Sequence, residues 1–210
     1  MTDSSTQSAP AKKFQFVGGD LCLDFCNTMG GKRSGIPREY LNTIADFVSW
    51  CEQAGLIGLP EAKALLRQAA RDPAGAASTL SRAVELREAI FRIFFALAKN
   101  KTPRPNDMDL LNSELAAALG RLRVRPNKDG FDWKWADDEA ALDHPLGPIA
   151  RSAANLLTRG ELLHHVSQCG GDNCGWLFVD SSKNHSRRWC DMRDCGNRAK
   201  VRRHRLKHAK

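Results

Sequence analysis

Two cysteine pairs near the C-terminus, Cys169-Gly-Gly-Asp-Asn-Cys174 and Cys190-Asp-Met-Arg-Asp-Cys195, hold four residues inside each pair and fifteen between them. Pairs at this spacing supply four thiolates to one tetrahedral zinc ion. Such a site is closed: with no open coordination position it cannot readily activate water, so the ion is structural and not that of a zinc hydrolase. The alternative, four free buried thiols, finds little apolar surface in a segment this rich in Gly, Asp, Asn and charge. His185 could replace one cysteine. His204 and His208, one helical turn apart, could bind metal too, but a helix-packing or phosphate role suits them better because four cysteines already complete a site.

Roughly forty residues cannot bury enough surface to fold alone, so zinc is expected to supply folding energy here. Trp176, Leu177, Phe178, Val179 and Trp189 are the candidate miniature core.

The net charge of +8 lies in the same region. Lys183 to Lys210 carries eleven Lys and Arg against Asp191 and Asp194, a local net of +9; the remainder has twenty-one bases and twenty-two acids, a net of −1. Gly196 to Lys207 suits a helix with Arg198, Arg202 and Arg205 on one face and Lys200, Arg203 and Lys207 on an adjacent one. Only Ala199, Val201 and Leu206 remain for packing. So positive a helix repels itself and is relieved by phosphates. Arg187-Arg188-Trp189 adds charge and an aromatic ring on the approach to Cys190. The candidate nucleic-acid contacts are therefore Arg187, Arg188, Arg198, Lys200, Arg202, Arg203, Arg205 and Lys207, with a merely solvated tail as the alternative.

Most of the chain must position this segment. Phe14-Gln-Phe-Val17 reads as a strand stopped by Gly18-Gly19, Leu21 to Cys26 as strand or helix, and Met29 to Pro37 as a loop. Asn42 or Thr43 can cap a helix burying Ile44, Phe47, Val48 and Cys51 and ending at Gly55. Glu61 to Arg71 is a second helix, burying Ala62, Leu65, Leu66 and Ala69. Ala76 to Lys99 is the strongest, with a stripe of Val84, Phe91, Phe94, Phe95 and Ala98, and Asp107 to Leu119 follows. From Arg121 to Trp135 the period becomes two around Asp129-Gly130, which predicts a hairpin. Trp133 and Trp135 share one face of it and are expected to bury against a helix. Pro145 to Arg159 is helical, and Leu162, Leu163 and Val166 lead into Cys169.

No run approaches the roughly 18 apolar residues that span a bilayer, and no signal-peptide pattern opens the chain, so a soluble, cytoplasmic protein is expected. The reduced compartment favours metal over disulfides for the seven cysteines. Cys22, Cys26 and Cys51 read as packing residues. Asp24 and Asn27 could line a pocket, though capping or an Asx turn is the ordinary explanation. No phosphate loop, Ser/His/Asp order or His-Glu-x-x-His motif appears, so no catalytic residue is assigned.

Cys195-Gly196-Asn197-Arg198, with Phe178-Val179-Asp180 and Arg187-Arg188-Trp189-Cys190 before it and Ala199-Lys200 after it, closely resembles the CGNR zinc-finger family. Members look like bacterial transcription regulators in which a C-terminal treble-clef-like finger follows a domain called ABATE. Leu23-Asp24-Phe25-Cys26-Asn27-Thr28 is similar to the start of that domain, Cys26 standing where an aliphatic residue is common. The resemblance implies zinc on the four matching cysteines and a nucleic-acid role. The expected organisation is a disordered segment 1–13, an ABATE-like domain 14–160 and a finger 161–210. The whole is of α+β class, mainly helical with short strands and a hairpin. The larger domain is read as a sensor of a small-molecule effector or as a homodimerisation unit. DNA-binding transcription regulation is the favoured function; an RNA-binding or ribosome-associated protein, or an enzyme with its site in the larger domain, are the others.

Overall fold

The computed structural model describes residues 13–135 and 141–208. The segment expected to be disordered lies, except for Lys13, outside them. Eight helices and three antiparallel strand pairs make up the described residues: α1 (Leu21–Cys26), β1 (Met29–Gly30), β2 (Arg38–Glu39), α2 (Ile44–Gln53), α3 (Leu59–Arg71), α4 (Pro73–Leu97), α5 (Pro105–Gly120), β3 (Leu122–Asn127), β4 (Gly130–Trp135), α6 (Leu146–Thr158), α7 (Gly160–Leu163), β5 (Val166–Gln168), β6 (Leu177–Val179) and α8 (Asn197–His208). The α+β class, mainly helical, is thus realised.

Leu21 to Cys26 is a helix because Asp20 caps it, its side chain accepting from the Cys22 amide. Five of its six residues are buried, and the helix lies against α4, α6 and β6. Thr43 closes a capping box with Asp46 and starts α2. Pro73 and Pro105 occupy first turns, where a missing N–H costs nothing. The face that α4 buries is Ala83, Leu86, Ile90, Ile93 and Phe94, with Phe91 beside it, while Val84 and Phe95 are only half-buried.

Three expectations need correction. Phe14 to Val17 has no regular secondary structure and joins no sheet. The Phe14 amide donates to the Gln53 side chain, and the Val17 carbonyl accepts from Arg187, so its backbone has partners outside any ladder. Leu66 faces water at 40% exposure, because α3 packs by Ala62, Leu65 and Ala69. The two hairpin tryptophans diverge. Trp135 packs against Gly147 of α6 and His144, whereas Trp133, two register pairs nearer the turn, is 58% exposed with Arg151 over its ring.

The loop between α1 and α2 is pinned by charge. Arg87 of α4, fully buried, donates to both oxygens of Glu39 at 2.7 Å and to Glu88, while Arg33 reaches Glu88 and lies over the Phe91 ring. A buried pair of this kind positions more than it stabilises, although removing one partner costs about 3–5 kcal/mol. The loop so held presents Gly30 and Gly31 toward the C-terminal segment.

That segment enters the main core. Val166, Leu177 and Val179 belong to the principal hydrophobic cluster, whereas Phe178 joins the four cysteines, Trp176 and Trp189 in a second one. The expected miniature core is therefore split by the period-two alternation of β6, whose two faces serve two clusters. Asn27 exchanges two hydrogen bonds with the backbone of Leu177, Trp176 donates its indole N–H to the Met29 carbonyl, and Val179 N–H donates to the Gly18 carbonyl. At Gly175 a side chain would collide with the Gly31 carbonyl, since a Cβ would lie 2.6 Å from that oxygen.

Candidate metal centre and nucleic-acid interface

Cys169 follows β5, Cys174 precedes β6, and Cys190 and Cys195 flank the start of a π-helical turn, Met192–Gly196, that runs directly into α8. The turns around them are fixed by backbone bonds: Cys169 N–H to Trp176 O at 2.8 Å, Gly170 N–H to Arg188 O at 2.8 Å, and Gly196 N–H to Asp191 O at 3.0 Å. The four Sγ atoms lie within 4.8 Å of one another, and all four residues are buried without a disulfide.

Tetrahedral zinc with Zn–S of about 2.3 Å requires sulfur separations of roughly 3.8 Å. Cys174 to Cys190 is 3.7 Å and Cys190 to Cys195 is 3.6 Å, so the donor set fits that ion. Its surroundings are those of a thiolate cluster. Cys169 Sγ accepts from the amides of Gly171 and Cys190 at 3.4 and 3.3 Å, and Arg198 donates to Cys195 Sγ at 3.2 Å. Hydrogen bonds from the Cys174 and Cys190 thiols, joined by these amides, hold Cys169 far below the usual thiol range. Four thiols crowded like this are most easily relieved by a cation that takes the place of their protons.

The remaining cysteines are different. Burial pushes Cys26 up to about 12 and raises Cys22 and Cys51 well above a free thiol, which leaves them as unreactive packing groups. His185 stacks on His165 at 3.6 Å between ring centroids and lies outside the cysteine cluster. His204 and His208 contact each other, at 4.3 Å, with no further ligand among the described residues.

Residues 19–160 match the ABATE family, described as "Putative stress-induced transcription regulator", and residues 165–208 match the CGNR zinc finger. The chain belongs to the ABATE family. No curated protein matches it. Neither family is an enzyme family, and no helix among the described residues is long and apolar enough to cross a membrane. The CGNR finger carries one structural zinc ion on Cys169, Cys174, Cys190 and Cys195.

Each residue of the CGNR signature has a visible task. Cys195 is a ligand. Gly196 fits beneath Met192, where a Cβ would lie 2.6 Å from the sulfur. The Asn197 side chain donates to the Arg193 carbonyl and locks the entry to α8. Arg198 bridges the Cys195 thiolate and Asp194.

Helix α8 buries no residue. Lys200, Arg203, Arg205 and Lys207 are exposed and form no ion pair with any described residue, whereas Arg202 pairs with Asp172 in the knuckle between the first two ligands. Arg188 is exposed beside the Trp189 ring. Arg187 faces inward: its guanidinium donates to the carbonyls of Val17, Val179, Trp189 and Cys190 and lies over Phe178. Sequence reasoning missed the two acids, Asp172 and Asp194. Both stand inside the cysteine pairs beside a strongly basic helix, which was the available signal.

Proposed function

We propose that this protein is a DNA-binding transcription regulator whose CGNR finger presents α8 to duplex DNA. The reading rests on one observation: a twelve-residue helix with no buried residue, carrying six Lys and Arg counted from Asn197 to His208, grows directly out of the zinc centre. A helix so charged gains little from its own fold and much from neutralising phosphates. The proposed contacts are Lys200, Arg203, Arg205 and Lys207, with Arg188 at the flank. Arg202 is held back from them by its ion pair with Asp172 and joins them where that pair is given up. Arg198 is assigned to the zinc centre first, and Arg187 to the interior. The regions 14–160 and 161–210 then act as a regulatory domain and a reading head, in a protein that works in the cytoplasm on the chromosome.

Fluorescence anisotropy with labelled duplex DNA and with a structured RNA tests this. Salt-dependent binding that prefers the duplex supports it. Tight RNA binding without DNA binding replaces it with the ribonucleoprotein alternative.

A further inference from the structure

A cavity of about 230 Å³ lies where the N-terminal segment, α1, the β1–β2 loop and the zinc centre meet. The roughly 10–15 Å³ that one water needs is far smaller. Phe14, Tyr40, Trp50 and Trp176 give it aromatic walls, Asp24 lies on the α1 side, and Cys195 and Arg198 close it toward α8.

One of these side chains has an unpaired donor, and a second carries a buried charge. Trp50 is completely buried, yet its indole N–H finds no acceptor among the described residues. Natural interiors rarely leave such a donor unpaired, and an acceptor on a ligand would relieve it. Asp24 is also buried; its carboxylate accepts the backbone amides of Gly18, at 2.7 Å, and of Val17, and no described side chain donates to it. Burial pushes its carboxyl up to about 6, outweighing the opposing pull of the Gly18 and Val17 amides and of Arg187.

The electrostatics select against anions. Four thiolates around one zinc ion leave two negative charges, and Asp24 and Asp194 add to them. Arg198 is committed to Asp194 and Cys195, which leaves Lys13 as the other cation on the wall.

We propose that this cavity binds a compact aromatic or heteroaromatic molecule that offers an N–H or ammonium group to Asp24 and an acceptor atom to the Trp50 indole. The ligand touches Cys195 and Arg198, the root of α8, and so bears on DNA binding. This second part rests on the DNA-binding reading; the binding site itself does not.

The test uses the full-length, zinc-loaded, ¹⁵N-labelled chain with adenine, 2-aminobenzimidazole and tryptamine as probes and benzoate as the anionic control. The Trp50 indole resonance is assigned by its loss in Trp50→Phe. At least one of the three nitrogenous probes should shift that resonance and raise Tm, benzoate should do neither, and Asp24→Asn should weaken binding tenfold or more. Asp24→Asn preserves shape and removes a buried charge, so it keeps the test open if Trp50→Phe folds poorly. The site is overturned if none of the three probes moves the resonance, if benzoate binds as well as they do, or if Asp24→Asn leaves affinity unchanged. A bound probe that leaves DNA affinity unaltered overturns the regulatory link alone. A chain that takes the probe but never binds DNA overturns the DNA-binding reading alone.

Discussion

Asn27 and Leu177, 150 residues apart, exchange a pair of hydrogen bonds: the Asn27 amide donates to the Leu177 carbonyl at 2.9 Å, and the Leu177 N–H donates to the Asn27 side-chain oxygen at 3.0 Å. The Asn27 side chain thereby stands in for a neighbouring strand on the open edge of β6. Asn27→Ala leaves both backbone groups of Leu177 without partners in a closed interior, at a cost of about 1–3 kcal/mol for each. Urea unfolding should show a loss of roughly 2–6 kcal/mol, and Asn27→Asp, which keeps the acceptor for the Leu177 amide but sets a carboxylate oxygen against its carbonyl, should destabilise as well.

Because Leu177 and Val179 belong to the principal core, zinc is expected to stabilise more than the finger. Metal analysis should give one zinc per chain. Cys190→Ser should lose it and lower the Tm of the whole protein, including the near-UV signal of the larger domain. An unchanged larger-domain transition would show that the β6 face contributes nothing to that core. Chelation should become easier as pH falls, since protons compete for the thiolates.

The contact of Arg198 with Cys195 separates two roles for one arginine. Arg198→Gln should weaken zinc affinity about 10–100-fold in the absence of any DNA, the usual range for a partner of a ligand. Arg202→Gln, on the same face of α8, should leave zinc affinity unchanged. Competition with a zinc-sensitive dye measures both.

Four phosphate contacts from Lys200, Arg203, Arg205 and Lys207 give a slope of log affinity against log salt of about −3.6. Arg203→Ala should flatten it by about 0.9 and weaken binding to all sequences alike. Asp172→Asn releases Arg202 from its ion pair and should do the reverse, tightening binding and steepening the slope by up to about 0.9.

Asp24 opposes folding at neutral pH. Its folded pKa of about 6 lies above the ordinary 3.8, so the folded state binds this proton more tightly than the unfolded one. The penalty is fully present above pH 6 and fades as pH falls from about 6 to about 3.8. Asp24→Asn should therefore be more stable than the wild type at pH 7, by about 3 kcal/mol, with the difference shrinking toward pH 4. Comparing the two proteins across pH isolates this group from acids such as Asp143, which Arg121 and Arg82 hold down at about 2 and which lose stability on acidification.

The zinc ligands and α8 were legible because their chemistry is local: spacing names the ligands, and a run of cations with few apolar residues names an exposed helix. Helices α2 to α6 followed from apolar periodicity, and the sequence narrowed the cap of α2 to Asn42 or Thr43, of which Thr43 holds it. The missing pieces depend on which surfaces meet. Phe14 to Val17 has the composition of a strand, but the partners of its backbone lie at Gln53 and Arg187. Nothing in Trp176 to Val179 says that alternate residues belong to different clusters, because a three-residue strand with both faces buried has no polar face to mark it. Trp133 has the period of a buried residue, yet α6 meets it only through the Arg151 side chain and leaves it exposed. Arg187 and Arg203 are identical in a charge count, and only the carbonyls around the first distinguish them.

Helix α8 has a mechanical consequence. Its twelve residues extend about 18 Å from the root at 1.5 Å per residue, held to the body at the zinc end and, among the described residues, by the Arg202 to Asp172 strut. A rotation of about 10° at that root carries the far end through roughly 3 Å, close to the rise of one base step along a strand. The free end works as a pointer, and whatever turns its pivot by a few degrees changes which step of a duplex it indicates.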